Sequence, residues 1–342
     1  MQDKDYLLRC IELAKLGGKD VRPNPHVGAI IVYNNRIIGE GYHMKYGESH
    51  AEVNAVNSVS KSDKKYLPHS TIYVSLEPCC HFGNTPPCTD LIIENKIPRV
   101  CIAEVDPYEK VNQKGIEVLR NNGVVVDVID TIDHDTLAEF RVNHIKNRPF
   151  VQLKVAKSKD NYIGKKGQQI WLSNDASNIF THKLRAYTDA ILIGTNTAIV
   201  DNPSLTLRNF LGATPKRIVL DREGKIPLTH TLLSDPHPCI IFTENLRDLS
   251  SFKKQIKIDF SQENFIDNLL QQIKSLGILH IMVEGGAKLL KSFVNSNIWD
   301  EAVIINTPKI LSEGIKAINI NGKIKSNFQL NEDKVVVLEN IK

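Results

Sequence analysis

The chain has 342 residues, of which 42% are hydrophobic and 24% are charged. This length and composition favour a globular protein of two domains and exclude a disordered or collagen-like chain. No apolar run reaches the ~18 residues of a membrane-spanning helix, and the acidic N-terminus lacks the apolar core of a secretion signal. We therefore expect a cytoplasmic protein without a membrane partner.

The net charge of +4 is unevenly distributed. Residues 1–146 carry 17 basic and 20 acidic side chains, a net −3, whereas residues 147–342 carry 26 and 19, a net +7. A basic second half suits anionic small ligands or nucleic acid, and a solvated surface explains it equally well. Three of the six cysteines (Cys79, Cys80 and Cys88) lie within ten residues of one another. In a cytosolic chain, such a cluster favours metal binding or catalysis over a disulfide framework.

The first half of the chain alternates strands and helices. The predicted elements are a hairpin of residues 29–33 and 37–41, a helix at 51–59, a strand at 71–76, a helix at 89–95, a strand at 100–105, a helix at 114–121 and a strand at 124–128. This alternation predicts an α/β layered domain.

A polar segment at residues 144–149 ends in Pro149 and coincides with the charge switch. It predicts a boundary between domains at residues 1–145 and 147–342. A second α/β series follows, with strands at 150–156, 190–193, 217–220, 239–242, 280–283, 301–305 and 334–338 and helices at 176–186, 264–276 and 287–295.

The strongest chemical signal is His50-Ala51-Glu52 combined with Cys79 and Cys88. A catalytic zinc ion takes three protein ligands and keeps one open position, and these residues offer one imidazole and two thiolates. Cys88 opens a predicted helix, whose dipole favours a thiolate. Glu52, at a helix N-terminus, would move protons between an attacking water and a leaving amine.

Two other interpretations remain open. A structural zinc site in an assembly module would recruit Cys80 or His81 as a fourth ligand, but such a site has no use for Glu52. A nucleic-acid cytosine or adenine deaminase with an RNA-binding second half would need a cationic groove with stacking aromatic residues. Aromatic residues make up only 6% of the chain, and the half with the metal motif carries −3.

An H-x-E motif followed by P-C and a further cysteine resembles the signature of the zinc-dependent nucleobase deaminases. The usual spacing of the two cysteines is shorter than here, and the longer E-P-C-C-H-F-G-N-T-P-P-C insert resembles that of the bifunctional riboflavin-biosynthesis deaminase/reductase family. Residues 22–28 and 41–52 also match that family. The resemblance implies a cytidine deaminase-like α/β/α domain that hydrolytically deaminates 2,5-diamino-6-(5-phosphoribosylamino)pyrimidin-4(3H)-one. It further implies that Asn24, His43 and His81 line the pyrimidine pocket and that Cys80 is not a ligand.

The second half lacks the G-x-G-x-x-G motif of ordinary dinucleotide-binding folds. It has instead an apolar strand, a Gly285-Gly286 turn and a helix, and a similar turn at residues 193–198. Glycines at such a turn let a pyrophosphate approach the N–H groups of the helix N-terminus. Turns of this kind also occur where no nucleotide binds.

The same family resemblance implies a dihydrofolate reductase-like α/β domain in the second half. This domain would use NADPH to reduce the ribosyl side chain of 5-amino-6-(5-phosphoribosylamino)uracil to ribityl. The residues implied to contact NADPH are Ala156, Trp171, Thr197, Asp201, Gly286, Ala287, Lys288, Leu289 and Leu290, and those implied to contact the substrate are Gln169, Arg185, Leu205, Arg208 and Glu284. Arg185 and Arg208 are apt because guanidinium groups bind phosphate in a bidentate manner. Asn161 and Gln169 depart from the family pattern, which has Gly and Ser there.

Reduction of a ribosylamine requires the sugar ring to open, because its C1′ is part of a cyclic hemiaminal. We expect Lys154 to polarise the sugar and Asp201 to stabilise the developing positive charge. A solvated strand lysine and a capping aspartate are the alternative interpretation. The expected partners are phosphorylated pyrimidines and not nucleic acid, and a homo-oligomer is compatible with the sequence.

Overall fold

A computed structural model describes residues 2–83, 86–108, 112–129 and 135–341. The chain divides into two compact units, the N-terminal unit Met1–Asn147 and the C-terminal unit Arg148–Lys342. His144, predicted as the start of a linker, instead ends a helix. Asn84 and Thr85, which belong to the cysteine-containing insert, lie outside the described residues. In the part of the chain that is described, no helix is both long and apolar enough to cross a membrane.

The N-terminal unit is a three-layer α/β/α structure. Its strands are β1 (Gly28–Tyr33), β2 (Arg36–Tyr42), β3 (Thr71–Val74), β4 (Arg99–Ile102) and β5 (Val125–Val128), in the sheet order β2-β1-β3-β4-β5. Its helices are α1 (Asp3–Ala14), α2 (Ala51–Ser58), α3 (Cys88–Glu94), α4 (Lys114–Asn121) and α5 (Ala138–His144), with short 3₁₀ turns at Lys19–Val21 and Lys64–His69. Strand β1 is antiparallel to β2 and β3, whereas β3, β4 and β5 are parallel.

Strand β1 explains why the sheet has helices on both faces. Ala29 and Ile31 join the core beneath α2, α3 and α4, whereas Ile30 and Val32 join the core beneath α1. Successive side chains of a strand point to opposite faces, so an uninterrupted apolar strand must be covered on both sides. The helix α1, which the sequence analysis did not predict, provides the second cover.

The C-terminal unit has a larger sheet with the order β11-β10-β9-β8-β12-β6-β13-β16-β15. Its strands are β6 (Phe150–Lys157), β7 (Tyr162–Gly164), β8 (Ala190–Gly194), β9 (Lys216–Leu220), β10 (Cys239–Thr243), β11 (Lys253–Lys257), β12 (His280–Glu284), β13 (Glu301–Asn306), β14 (Ile315–Lys316), β15 (Lys323–Leu330) and β16 (Asp333–Glu339). Its helices are α6 (Asp175–Tyr187), α7 (Thr195–Asp201), α8 (Thr231–Ser234), α9 (Phe265–Ser275) and α10 (Ala287–Asn295). Strands β7 and β14 form a separate antiparallel pair.

The topology of the C-terminal unit brings together the carboxyl ends of three strands that carry or precede predicted reductase residues. From β11 to β13 the neighbouring strands are parallel, and β16 runs antiparallel to β13 and β15. Strands β8, β12 and β6 are neighbours, so their carboxyl ends lie side by side. Ligands of open α/β sheets bind in the crevice at the carboxyl ends of the strands. Gly194, Glu284 and the polar end of β6 all lie at this edge.

Candidate active sites

In the N-terminal unit, two glycines of β2 fix the position of α2. A Cβ atom on Gly41 would lie 2.5 Å from the backbone nitrogen of Ala55, and one on Gly39 would lie 2.5 Å from its backbone oxygen. Real Cβ atoms do not approach backbone atoms this closely, so only glycine permits the contact. The helix α2, whose N-terminus carries the H-x-E motif, therefore packs directly on the hairpin.

The helix ends and strand ends bring the predicted metal ligands together. His50 is the N-cap of α2, Cys79 follows β3, and Cys88 is the first residue of α3. The His50 Nδ1 atom is 3.5 Å from Cys79 Sγ and 3.4 Å from Cys88 Sγ, and the three ligand atoms lie within 4.8 Å of one another. One imidazole and two thiols at this separation fit a zinc ion. Across the described residues, this is the cluster that could hold a metal, and Cys80 is not part of it.

The two ligand thiols differ in acidity. The Cys88 thiol and the His50 ring form hydrogen bonds with Cys79 and lower the pKa of Cys79 to about 4. The hydrogen bond with Cys79, together with burial, raises the pKa of Cys88. The backbone N–H of Cys88, 3.4 Å from Cys79 Sγ, further favours a thiolate at Cys79. A cation between them would stabilise the deprotonated form of both thiols.

Glu52 lies in the first turn of α2 and is only 3% exposed. Burial, and then the nearby negative charge of Cys79, raise the pKa of Glu52. Glu52 and Cys88 each shift the pKa of the other, which places the carboxyl group beside the predicted metal ligands. A buried carboxyl group with a raised pKa next to a metal site can both take and return a proton. A purely structural zinc site gives no reason for this arrangement.

Two of the three residues predicted for the pyrimidine pocket lie together. His43 is buried and donates from Nδ1 to the backbone oxygen of Ser49 at 3.0 Å, so its Nε2 accepts from the Asn24 amide at 3.1 Å. Its ring centroid is 5.3 Å from that of His50, and burial lowers the pKa of His43. A neutral His43 and Asn24 therefore border the metal ligands. His81 is exposed in the loop that follows Cys79.

Sequence reasoning missed the role of Glu77, which precedes Pro78 and Cys79. This carboxylate is 3% exposed and accepts four backbone N–H groups, those of Asp106, Gln113, Gly115 and Ile116. It thereby caps the N-terminus of α4 and ties that helix to the loop that carries Cys79. The available signal was an acidic residue directly after an apolar strand and directly before a metal-binding motif.

In the C-terminal unit, the two predicted glycine-containing turns meet. Gly285 and Gly286 have φ values of 69° and 73°, in the left-handed region that favours glycine. A Cβ atom on Gly285 would lie 2.9 Å from Thr197 Cγ2, and one on Gly286 would lie 3.1 Å from Thr197 Oγ1. The segment from Thr195 is the short helix α7 and not only a turn. The missing Cβ atoms let Thr197 pack against this turn, and the turn and the N-terminus of α10 form a cradle of the kind that binds phosphate groups.

The residues predicted to contact NADPH differ in what they can offer to a ligand. Ala287, Lys288 and Leu289 open α10, where backbone N–H groups have no partner within the helix. The N–H of Leu290 already donates to the Gly286 oxygen at 3.1 Å, and its side chain is fully buried. Leu290 thus offers a ligand neither an unpaired N–H nor an exposed side chain, and its role as a cofactor contact stays a prediction. Ala156, by contrast, lies at the half-buried end of β6.

Gln169 and Asp201 are close together. The Gln169 side-chain amide donates to the backbone oxygen of Asp201, the last residue of α7, at 3.1 Å. Burial raises the pKa of Asp201. Trp171 is 65% exposed, and its backbone oxygen accepts a hydrogen bond from Lys309. An exposed indole leaves a large flat surface available for a ring to stack on.

Arg185 does not offer the open guanidinium fork that was expected. Its Nε and Nη2 atoms each donate at 2.9 Å to one oxygen of Glu284, in a bidentate ion pair. Lys154 lies opposite Glu284 in the register of the neighbouring parallel strands β6 and β12. Burial alone would raise the pKa of Glu284, but Arg185 and Lys154 together lower it to about 2. Nη1 of Arg185 is the guanidinium nitrogen outside this ion pair.

The structure limits how Leu205 could contact a substrate. Its side chain is 3% exposed and packs in an apolar cluster with Ile191 and Val219, so only its backbone can face a ligand. Its φ of 54° is unusual for a residue with a side chain and bends the loop that leads to Arg208.

Comparison with known proteins agrees with this division of the chain. Residues 1–104 match the family described as "Cytidine and deoxycytidylate deaminase zinc-binding region", and residues 149–338 match that described as "RibD C-terminal domain". Together, the fold and the two matches define a bifunctional enzyme with a deaminase domain and a reductase domain.

Full-length relatives show the same two-part arrangement. The chain is 36% identical over 342 residues to the riboflavin biosynthesis protein RibD of Aquifex aeolicus (strain VF5), covering 97% of this chain and 95% of that protein. Two solved structures, each with 99% coverage of both chains, are similar: form 1 of Acinetobacter baumannii RibD (30% identity, TM-score 0.86) and a diaminohydroxyphosphoribosylaminopyrimidine deaminase/5-amino-6-(5-phosphoribosylamino)uracil reductase from Thermotoga maritima (31% identity, TM-score 0.88). The chain belongs to the RibD family of bifunctional deaminase/reductases of riboflavin biosynthesis. A nucleic-acid deaminase is not favoured.

Proposed function

We propose that this chain acts on the two substrates named for its Thermotoga maritima relative, with deamination in residues 1–145 and reduction in residues 147–342. The observation that most strongly supports this proposal is the cluster of His50, Cys79 and Cys88 next to the buried carboxyl group of Glu52. Zinc and NADPH are the proposed cofactors, small phosphorylated pyrimidines the proposed ligands, and the cytoplasm the proposed location.

For deamination, His50, Cys79 and Cys88 would hold the zinc ion, which supplies Lewis-acid activation of water. Glu52 takes a proton from the attacking water and passes it to the departing amino group. The new C–O bond forms first and makes the ring carbon tetrahedral; the C–N bond then breaks, and ammonia leaves. Asn24 and His43 orient the ring, with His43 kept neutral by burial.

For reduction, the cradle of Gly285, Gly286 and the α10 N-terminus would hold NADPH, which supplies the hydride. The sugar must first open to an iminium form, with a proton delivered to the ring oxygen. Burial lowers the pKa of Lys154, which makes its ammonium group a better proton donor to the sugar. Asp201 is the candidate to stabilise the positive charge at C1′ until the hydride arrives.

Two assays test this function on the intact protein. We expect ammonia release from the diaminopyrimidine and a fall in NADPH absorbance with the deaminated compound. Glu52→Gln should lower the rate of ammonia release by ~10²–10⁴-fold because an amide cannot carry the proton. It should leave NADPH oxidation unchanged. Glu48→Gln, at a largely exposed position of the preceding loop, is the matched control. Wild-type deamination by Glu52→Gln, or a parallel loss of reduction, would contradict the assignment.

A further inference from the structure

His182 connects the two arginines that were predicted to bind the substrate phosphate. It lies on α6 three residues before Arg185, so the two side chains share one face of the helix. Its Nδ1 atom accepts the backbone N–H of Arg208 at 3.3 Å. The ring thus links the helix that carries Arg185 to the loop that carries Arg208.

This hydrogen bond determines the tautomer of the ring. Because Nδ1 accepts a proton, a neutral His182 carries its own proton on Nε2. The side chain is 1% exposed, yet in the described part of the chain Nε2 has no hydrogen-bond partner. The fully buried side-chain atoms that lack a partner do not include Nε2 of His182, so this atom keeps some contact with solvent. Buried donors in native proteins normally have a partner, so the unpartnered N–H of this buried ring indicates a partner that the protein itself does not supply.

The surroundings of the ring suit an anion. Its charged neighbours are Lys154, Arg185, Arg208 and Glu284, which together carry a net charge of +2. Burial, and then Arg185 and Arg208, lower the pKa of His182, so that the ring stays neutral. A phosphate monoester carries close to two negative charges at neutral pH and accepts several hydrogen bonds. It matches both the charge of the cluster and the free Nε2–H.

We propose that His182 is a further substrate-binding residue of the reductase site, whose Nε2–H donates to the phosphate of the phosphoribosyl substrate while its Nδ1 holds the backbone of Arg208. The inference rests on the proposed function, because it assumes that the reductase substrate carries this phosphate. It adds a neutral hydrogen-bond donor to a site in which Nε and Nη2 of Arg185 already donate to Glu284.

Two substitutions separate the roles of the two ring nitrogens. In His182→Asn, the amide oxygen lies near the former Nδ1 position, so the bond to Arg208 can persist while the Nε2–H is lost. In His182→Gln, the amide N–H reaches the former Nε2 position, but the acceptor for Arg208 is lost. Lys183→Met removes an exposed positive charge from the next position of α6 and serves as the control.

The measurement is steady-state NADPH oxidation with 5-amino-6-(5-phosphoribosylamino)uracil and with its phosphate-free counterpart. We expect His182→Asn to raise KM for the phosphorylated compound by roughly tenfold or more. Its kcat, its KM for NADPH and its kinetics with the phosphate-free compound should stay near wild type. His182→Gln should recover part of the lost affinity, and Lys183→Met should behave as wild type.

The outcomes are distinguishable. An unchanged KM in His182→Asn with a raised KM in His182→Gln would overturn the proposal and leave only a positioning role. An equal loss with both substrates in both variants would overturn it as a general disturbance of the site. If the wild-type protein does not oxidise NADPH with the phosphorylated compound, the proposed function itself fails.

Discussion

At the scale of single residues, the structure distinguishes two adjacent cysteines that the sequence leaves equivalent as metal ligands. Cys79 and Cys80 are adjacent, but only Cys79 lies with His50 and Cys88. Adjacent residues of an extended segment point in different directions, so a loop can turn only one of the two thiols towards the helix N-termini. His81 is likewise exposed. Among the residues that the structure describes, the cluster has three ligands and no fourth protein donor, which is the pattern of catalytic zinc sites.

This distinction predicts different metal contents for two cysteine variants. Cys88→Ser should lose nearly all bound zinc, because a hydroxyl group is a poor replacement for a thiolate ligand, whereas Cys80→Ser should keep about one zinc ion per chain. Elemental analysis of the purified proteins after dialysis measures the difference. Full zinc in Cys88→Ser together with none in Cys80→Ser would reassign the ligands.

At the scale of elements, the deaminase site depends on how closely α2 approaches the hairpin. His50 and Glu52 stand at the N-terminus of this short helix, so any shift of α2 moves both residues together. The approach is possible because Gly39 and Gly41 lack side chains beneath it. Glu77 has a comparable role on the other side of the cluster, where it ties α4 to the loop of Cys79.

Gly41→Ala should therefore disturb the site as well as the stability. The added Cβ would press on the backbone of Ala55, which cannot rotate away, and overpacking of this kind costs ~1–3 kcal/mol. We expect a lower unfolding midpoint for the N-terminal unit and faster zinc transfer to a chromophoric chelator. Gly83→Ala is the control, since a Cβ there meets nothing within 4 Å. Equal zinc retention in the two variants would show that α2 does not depend on this contact.

At the scale of the whole molecule, the two chemistries occupy separate compact units with separate cores. The apolar cluster beneath α2 belongs to the N-terminal unit, and the cluster that includes Val283 and Phe293 belongs to the C-terminal unit. The charge asymmetry follows the same division, with the excess of basic residues in the half that would bind NADPH and a phosphorylated sugar.

Separate units predict complementation between damaged chains. Glu52→Gln should lack deamination, and Gly286→Val should lack reduction at ordinary NADPH concentrations, because a β-branched residue at this φ is strained and crowds Thr197. A mixture of the two variants should convert the diaminopyrimidine to the ribityl product, whereas neither variant alone should. The product is followed by chromatography. Failure of the mixture, when each variant retains its other activity, would mean that the intermediate does not pass between molecules.

The sequence by itself determined the order of the main elements, the two-domain division and the metal motif. These features depend on local patterns: apolar strands, helix starts, and rare residues at fixed spacing such as His50, Glu52, Cys79 and Cys88. Some of the missed elements had weak local patterns, although helix α1 has an apolar face at helical spacing. Strand β11, for example, is a lysine-rich strand at the edge of its sheet, where little apolar surface is required.

Only the tertiary structure decided which polar groups meet across the fold. Arg185 and Glu284 are 99 residues apart, and their pairing follows from the packing of α6 beside β12. The same holds for Glu77 with the start of α4, for Thr197 against Gly285, and for His182 with Arg208. Such contacts join segments that are distant in the chain, and their partners depend on strand order and helix position, which no local spacing encodes. The sequence therefore specified the chemistry that is available, and the fold selected which residues act together.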